Sequence, residues 1–385
     1  MSFFENVLSI LIILLILSFL LIKRRQLGIQ KIFWPFLYLV VWRSKAVLKP
    51  INFFSKLFSK IWPVFIFIGI SLSIISMIAF SILLIFQTIK LLLIPDVQPS
   101  VQLVLPIKVK GVFFVPFLFW ILGVAFVAFT HEFGHAIAAR IKKLPLKSAG
   151  FGVFSILLPI LPLAFVEPDE KKLIRRPLFQ QLGIFSAGSF FNFVSAAILI
   201  GFALLLGGFI SSSVIYKGVK IIEVEKDSPA ERANLSVGSV LTKINAIEIK
   251  KISDLVRFLK NSSPGDMVTI FSDGKNFTFA LGANPKDPRI GWIGAAFEQV
   301  WAPKILPKAF IIALIWILSL TTWLYMLSIG IGLFNLLPIG PIDGGRIARS
   351  LLEKIFPKSG TRIWVVISLI MLAAIIINIF AAFFR

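Results

Sequence analysis

Six apolar runs govern what this chain can fold into. Residues 6–22, 62–94, 112–141, 179–210, 307–335 and 363–384 are each long enough, or nearly so, to cross a bilayer as a helix. At membrane depth, backbone polar groups are satisfied only within helices or closed barrels. The runs therefore predict a polytopic α-helical membrane protein with about six transmembrane helices. Composition agrees, with 58% hydrophobic residues and 40 Phe.

The formal charge of +22 needs a separate reading. The basic residues gather in short loops beside the apolar runs, with Lys23, Arg24 and Arg25 after the first and Arg140, Lys142 and Lys143 after the third. That is the positive-inside pattern, not a nucleic-acid footprint. It predicts no nucleic-acid partner and a secondary attraction of anionic lipid to the basic loops. Glu5 before the first run argues against a cleavable signal peptide. Alternating the crossings puts both termini outside a cell membrane and every basic loop inside. Cysteine is absent, so thiolate metal sites and disulfides are excluded.

Three segments break the helical pattern. Between Lys23 and Ile61, the apolar piece IFWPFLYLVVW is too short to cross, and its terminal tryptophans predict an interfacial segment. Residues 149–166 are apolar but interrupted by Gly150, Gly152, Pro159 and Pro162. No helix survives that spacing, so the segment reads as a re-entrant β-type loop. A free edge at Gly150, Phe151, Gly152 and Val153 would hold an extended peptide by strand addition. Residues 211–300 alternate like strands around two short helices, predicting a small α+β domain outside the membrane. The domain plan is thus a membrane extension over 1–94, a first core part over 112–210, the inserted domain over 211–300 and a second core part over 307–385.

Both histidines of the chain lie in the third run, as His131-Glu132-Phe133-Gly134-His135. On a helix, positions i and i+4 share a face and can grip one metal ion. Glu132 points about 100° away, where it can serve as a general base. Ionisable groups in an apolar span are costly unless paired or metal-bound. A hydrolytic zinc site has three protein ligands and an open position. With no further His and no Cys, the third must be a carboxylate. Asp343, after the break at Asn335-Leu336-Leu337-Pro338-Ile339-Gly340-Pro341-Ile342, is the leading candidate, with Glu167, Asp169 and Glu170 as alternatives. Asn192, in the small-residue stretch Ser186–Asn192, reads first as a packing residue that can also face the site, as a candidate substrate-binding or oxyanion group.

HEFGH together with NLLPIGPIDGG resembles the paired signatures of the site-2 protease family of intramembrane zinc metalloproteases. SAGSFFN and FVEPDE are similar to further family features, and the likeness covers about residues 112–384. It implies one Zn²⁺ per chain held by His131, His135 and Asp343, with Glu132 as general base. It also implies that Asn335 holds substrate or polarises the scissile carbonyl. Ser189 departs from the family, in which a proline often follows the glycine. The inserted segment resembles a PDZ domain, with Gly218 and Val219, or Trp292 and Ile293, as candidate edges of its peptide groove.

The expected function is hydrolysis of peptide bonds in transmembrane segments of single-span, membrane-anchored substrates, in regulated intramembrane proteolysis. The site is expected nearer the cytoplasmic face. A different class of protein, a non-catalytic membrane receptor or chaperone binding peptide ends through the PDZ-like domain, would need the metal to be structural. Structural zinc usually takes four protein ligands, and three are visible. Residues 1–94 receive no role from the motifs, and oligomeric state is not legible.

Overall fold

The computed structural model describes residues 3–33, 37–44, 48–95, 97–156, 158–285 and 287–384. Helix α1 (Phe3–Lys23) leads to strands β1 (Leu27–Phe33) and β2 (Leu37–Arg43), an amphipathic helix α2 (Leu48–Phe58) and the long helix α3 (Trp62–Leu93). Two short strands, β3 (Leu103–Leu105) and β4 (Val112–Phe114), precede α4 (Phe117–Ile141). Strands β5 (Leu146–Ile156) and β6 (Leu158–Pro168), the turn α5 (Glu170–Leu173) and α6 (Leu178–Ser213) follow.

The inserted region holds β7 (Val214–Val224), α7 (Pro229–Arg232), β8 (Val240–Ile244), β9 (Ile247–Glu248), α8 (Ile252–Lys260), β10 (Met267–Ser272), β11 (Lys275–Ala280), β12 (Gly282–Asn284), β13 (Asp287–Trp292) and β14 (Ala295–Pro303). The chain ends with α9 (Lys308–Asn335), α10 (Asp343–Ile355) and α11 (Gly360–Phe384). Among the described residues, α1, α3, α4, α6, α9 and α11 supply six helices long and apolar enough to cross a membrane. The protein is a polytopic helical membrane protein with an inserted α+β domain.

Two compact units divide the chain, Met1–Ala203 with Ser319–Arg385, and Leu204–Leu318. In the first, α3 packs into the core beside α4, α6 and α10: Trp62, Ile66 and Ile70 cluster with Ile137, Leu182, Ile184 and Ile347. Small residues allow this approach, since a Cβ at Gly69 would press on the Phe190 ring at 3.1 Å. Fully buried Asn378 on α11 donates to Thr88 Oγ1 on α3 (2.8 Å) and accepts from Ser100 N in the loop after α3 (3.0 Å), so both arms of its carboxamide are satisfied within the protein. At the start of α11, Thr361 donates to Glu353 on α10 at 2.8 Å, and Arg349 donates to the same carboxylate at 2.7 Å. These bonds, Arg349 first, hold the Glu353 carboxyl below the usual carboxylate range and tie α10 to α11.

The largest departure from the sequence reading is a four-stranded sheet ordered β1-β2-β5-β6. The segment expected to lie in the interface, IFWPFLYLVVW, instead supplies the end of β1 and nearly all of β2. Residues 34–36 within it lie outside the described residues. Val40 and Val41 are buried, and Trp42 stacks on Phe151 with ring centroids 6.4 Å apart. Alternating Leu, Val and Trp suits a half-buried strand, and pairing with β5 gave it partners that single-segment length could not reveal.

The same sheet corrects a second expectation. β5 pairs with β2 on one side and β6 on the other, so Gly150, Phe151, Gly152 and Val153 lie on an interior strand. Among the described residues, the free edge on the α4 side is β6. Ser44 N–H donates to Ala149 O at 3.0 Å, so Ala149 turns its main chain toward β2. Its partner Val166 must then turn outward, and Ala164 and Pro162 with it. Proline fits there because the missing N–H faces no ladder partner.

In the second unit, the strands order β11-β10-β8-β7-β14 around a core of Val219, Ile221, Leu241, Ile244 and Ile270. Gly218 and Val219 lie on β7, an interior strand, and Val219 is fully buried, so neither can edge a peptide groove. Ile293 is 1% exposed and belongs to the core, with Trp292 beside it at the end of β13. Among the described residues, the edge strands of this sheet are β11 and β14, and β14 is the one beside β7. Gly294 precedes it at φ +81°, and Gln299 on it accepts from Ile252 N–H at the start of α8 (3.0 Å).

Candidate metal centre

Helix α4 presents His131 and His135 on one face toward α6. The approach is close because both helices carry glycine at the crossing. A Cβ on Gly134 would lie 2.5 Å from Ala187 O, and one on Gly188 would clash with His135 Nε2 and lie 2.7 Å from His131 Nε2. The third donor comes from α10. Asp343 opens that helix, where Gly344 lets the preceding loop fold back; a Cβ there would collide with the carbonyls of Leu336 and Leu337.

The donor atoms converge. His131 Nε2 and His135 Nε2 are 3.2 Å apart, and Asp343 Oδ2 is 3.1 Å from each. Among the described residues, His131, His135 and Asp343 are the cluster able to hold a metal ion. The spacing is a test of fit. Tetrahedral zinc with ligands at about 2.0–2.1 Å has ligand–ligand edges of about 3.3 Å, and these three atoms form one face of that size. Asp343 Oδ2 is buried without a hydrogen-bond donor, an arrangement a cation would satisfy.

Each imidazole is also held from behind. His135 Nδ1–H donates to Ile184 O at 2.8 Å, which leaves Nε2 free to ligate. His131 Nδ1 is 3.4 Å from the Asn192 carboxamide, whose other arm meets Thr130 Oγ1 at 2.7 Å; Thr130 in turn reaches Val127 O at 3.1 Å. With Nε2 ligating, Nδ1 carries the proton. A half-turn of the carboxamide then satisfies every group: Oδ1 accepts from His131, the amide donates to Thr130, and Thr130 donates to Val127 O. Asn192 is fully buried and faces the site through His131, one of the three donor residues, so packing is not its whole role.

Glu132 sits between this cluster and the sheet. Val166 N–H, on the outer edge of β6, donates to Glu132 Oε2 at 2.9 Å. Histidines, Glu132, Asn335 and Asp343 line one cavity of about 560 Å³. The alternative carboxylates have other partners. Glu167 pairs with Arg43 at 3.5 Å and Ser148, Asp169 caps α5, and Glu170 pairs with Arg346 at 3.1 Å. SAGSFFN and FVEPDE contain Gly188 and Val166 but gave neither a part in the site, and no motif pointed to Ile184 O. Only the glycine pattern of α6 could have suggested Gly188.

Two histidines and a carboxylate on one apolar helix, joined by an aspartate that opens a second helix, form the residue set of a metallopeptidase centre. The family model described as Peptidase family M50 matches residues 119–376, and the chain belongs to that family, the site-2 proteases. Two proteins named "Putative zinc metalloprotease" are similar to it. That of Fusobacterium nucleatum is 24% identical over 62% of this chain and 88% of its own length. That of Campylobacter jejuni is 25% identical over 67% and 90%. "Zinc metalloprotease RasP" of Shouchella clausii is 32% identical over 29% of this chain and 27% of its own. The PDZ domain of an SdrC-like protein from Listeria monocytogenes is 25% identical to a stretch covering 21% of this chain and 88% of that structure, with a TM-score of 0.19. The protein is a metalloprotease of the membrane, and the metal its donor set fits is zinc.

Proposed function

We propose that the protein is an intramembrane endopeptidase that cuts transmembrane segments of single-span substrates, with zinc held by His131, His135 and Asp343. The observation that carries this reading is the position of Glu132, between the donor cluster and the outer edge of β6. Zinc, when bound, lowers the pKa of a water toward about 7 and draws charge from a carbonyl oxygen. Glu132 takes the proton of the attacking water and returns it to the leaving amine. Asn335 holds the substrate carbonyl in the shared cavity. A transmembrane helix hides its carbonyls, so the cut segment must be extended. The edge groups of Ala164 and Val166 hold it by strand addition, in place of Gly150–Val153.

The wider setting belongs to the same reading. Both termini and the PDZ-like domain face outside, the centre lies nearer the cytoplasmic face, and the basic loops attract anionic lipid. The PDZ-like domain docks peptide ends along β14, beside Trp292, in a pathway of regulated intramembrane proteolysis. The test is Glu132→Gln. Purified protein should keep one zinc per chain and lose cleavage of a single-span reporter by about 10²- to 10⁴-fold. Retained cleavage would sink the mechanism.

A further inference from the structure

Glu132 also lines a second cavity, of about 210 Å³. Its walls include Ile51 and Phe54 on α2, Phe129 and Phe133 on α4, Phe151 on β5 and Ala164 on β6. Glu132 is the one ionisable side chain among the described residues that line it. Phe129 and Phe151 on its walls are exposed, so it is an apolar pocket open on one side, with a carboxylate in its wall. An apolar cavity of about 150 Å³ accepts benzene. This one therefore has room for a Leu, Met or Phe side chain.

The sheet says how such a side chain would enter. Ala164 and Phe151 are cross-strand partners, so their side chains share one face of the sheet. A strand added to the outer edge of β6 continues that face. Its residue opposite Ala164 projects beside Ala164 and Phe151, into the cavity. Ala164 on β6 and Gly150 on β5 are the smallest residues on the walls, and Ala164 leaves the space open where the added strand runs.

The far wall comes from the N-terminal extension. Ile51 is 2% exposed, and the Phe54 ring meets Phe133 edge-on at 5.4 Å and stacks on Phe58 at 6.2 Å. These residues precede 119–376, the part of the chain that the family model covers. We infer that the cavity receives an apolar side chain of the substrate within three residues of the scissile bond, and that α2 sets how large it can be. The inference rests on Glu132 as the base and β6 as the substrate edge, and it gives residues 1–94 a part in specificity.

The experiment is a reporter panel with purified protein. Each of the three positions on either side of the cut takes Ala, Leu, Phe, Trp or Lys in turn, and mass spectrometry locates the cut. At one position kcat/KM should favour Leu or Phe over Ala by about tenfold or more, since each methylene in an apolar pocket is worth about 10- to 200-fold. Lys there should not be cut, because an unpaired charge would be buried. A flat profile at every position overturns the inference.

Two variants move the preference in opposite directions. Phe54→Trp should lower the Phe-to-Ala ratio by about tenfold, and Phe54→Ala should raise the Trp-to-Leu ratio by a similar factor. Ratios between reporters on one preparation cancel any loss of folded protein. Ratios unchanged in variants that still cut would assign the cavity to lipid or packing and overturn the inference. Where a variant fails to accumulate, the unmodified protein's profile decides. Glu132→Gln separates the two readings: cleavage that survives it ends the hydrolytic reading, whereas its loss beside a flat profile ends the pocket alone.

Discussion

The metal-donor cluster and the four-stranded sheet flank the same glutamate, yet they are built on different terms. The cluster depends on side-chain identity. His131, His135 and Asp343 each offer one atom within 4.8 Å of the others, and Gly188 leaves them room by having no side chain. The sheet depends on main-chain groups, which every residue but proline carries in full. Its β1-β2 pair and its β6 edge could be written with many sequences. Changes in the cluster should therefore act as near-total losses of metal, and changes at the sheet edge as graded losses of substrate.

The largest break in this contrast is Asp343→Ala. One of three donors goes, and purified protein should contain well under one zinc per chain by elemental analysis. Full zinc content would move the third ligand elsewhere and undo the contrast. Gly188→Ala comes next. Its Cβ would sit between the two imidazoles, and the helices must part to admit it. We expect zinc affinity to fall by at least the 10- to 100-fold typical of disturbing a ligand's support, about one to two orders. Asn192→Leu should cost about 10- to 100-fold by leaving His131 Nδ1–H without an acceptor. Asn192→Asp keeps an acceptor and should recover most of that loss. A competition titration with a zinc chelator reads both, and equal losses in Leu and Asp variants would reduce Asn192 to packing.

The same difference explains what could be read from the chain beforehand. The six spans followed from apolar length, and the histidine pair and Asp343 from scarcity, because an ionisable group in an apolar run needs a reason. The sheet was half legible. Gly150, Gly152, Pro159 and Pro162 announced that residues 149–166 are not helical, and that holds. Which edge stays free was not legible, because it depends on β2, a segment more than a hundred residues earlier, and long-range pairing leaves no local mark. Val40 and Val41 look like any short apolar piece until Gly152 and Val153 are set opposite them. In the inserted domain, the alternation located β7, β8, β10 and β11, but not that β14 closes over β7 and makes Gly218 interior.

The smallest expected effect is at the sheet edge, where it meets Glu132. Val166 N–H points outward from β6 to Glu132 and makes no ladder bond to β5. Val166→Pro therefore removes one edge donor while the pairing of β5 with β6 survives, since proline is tolerated where the N–H faces away from the sheet. The preceding Phe165 is already in a strand, the conformation proline asks of its neighbour. If a substrate strand binds this edge, KM should rise by about 2- to 12-fold, the worth of one net hydrogen bond. Zinc content should not change, because Val166 touches none of the three donors directly. A variant that loses zinc instead would mean that the edge and the cluster are one cooperative structure. Unchanged KM would mean that substrate does not pair with β6 at this residue, and that the Val166 bond serves only to hold the Glu132 carboxylate in place.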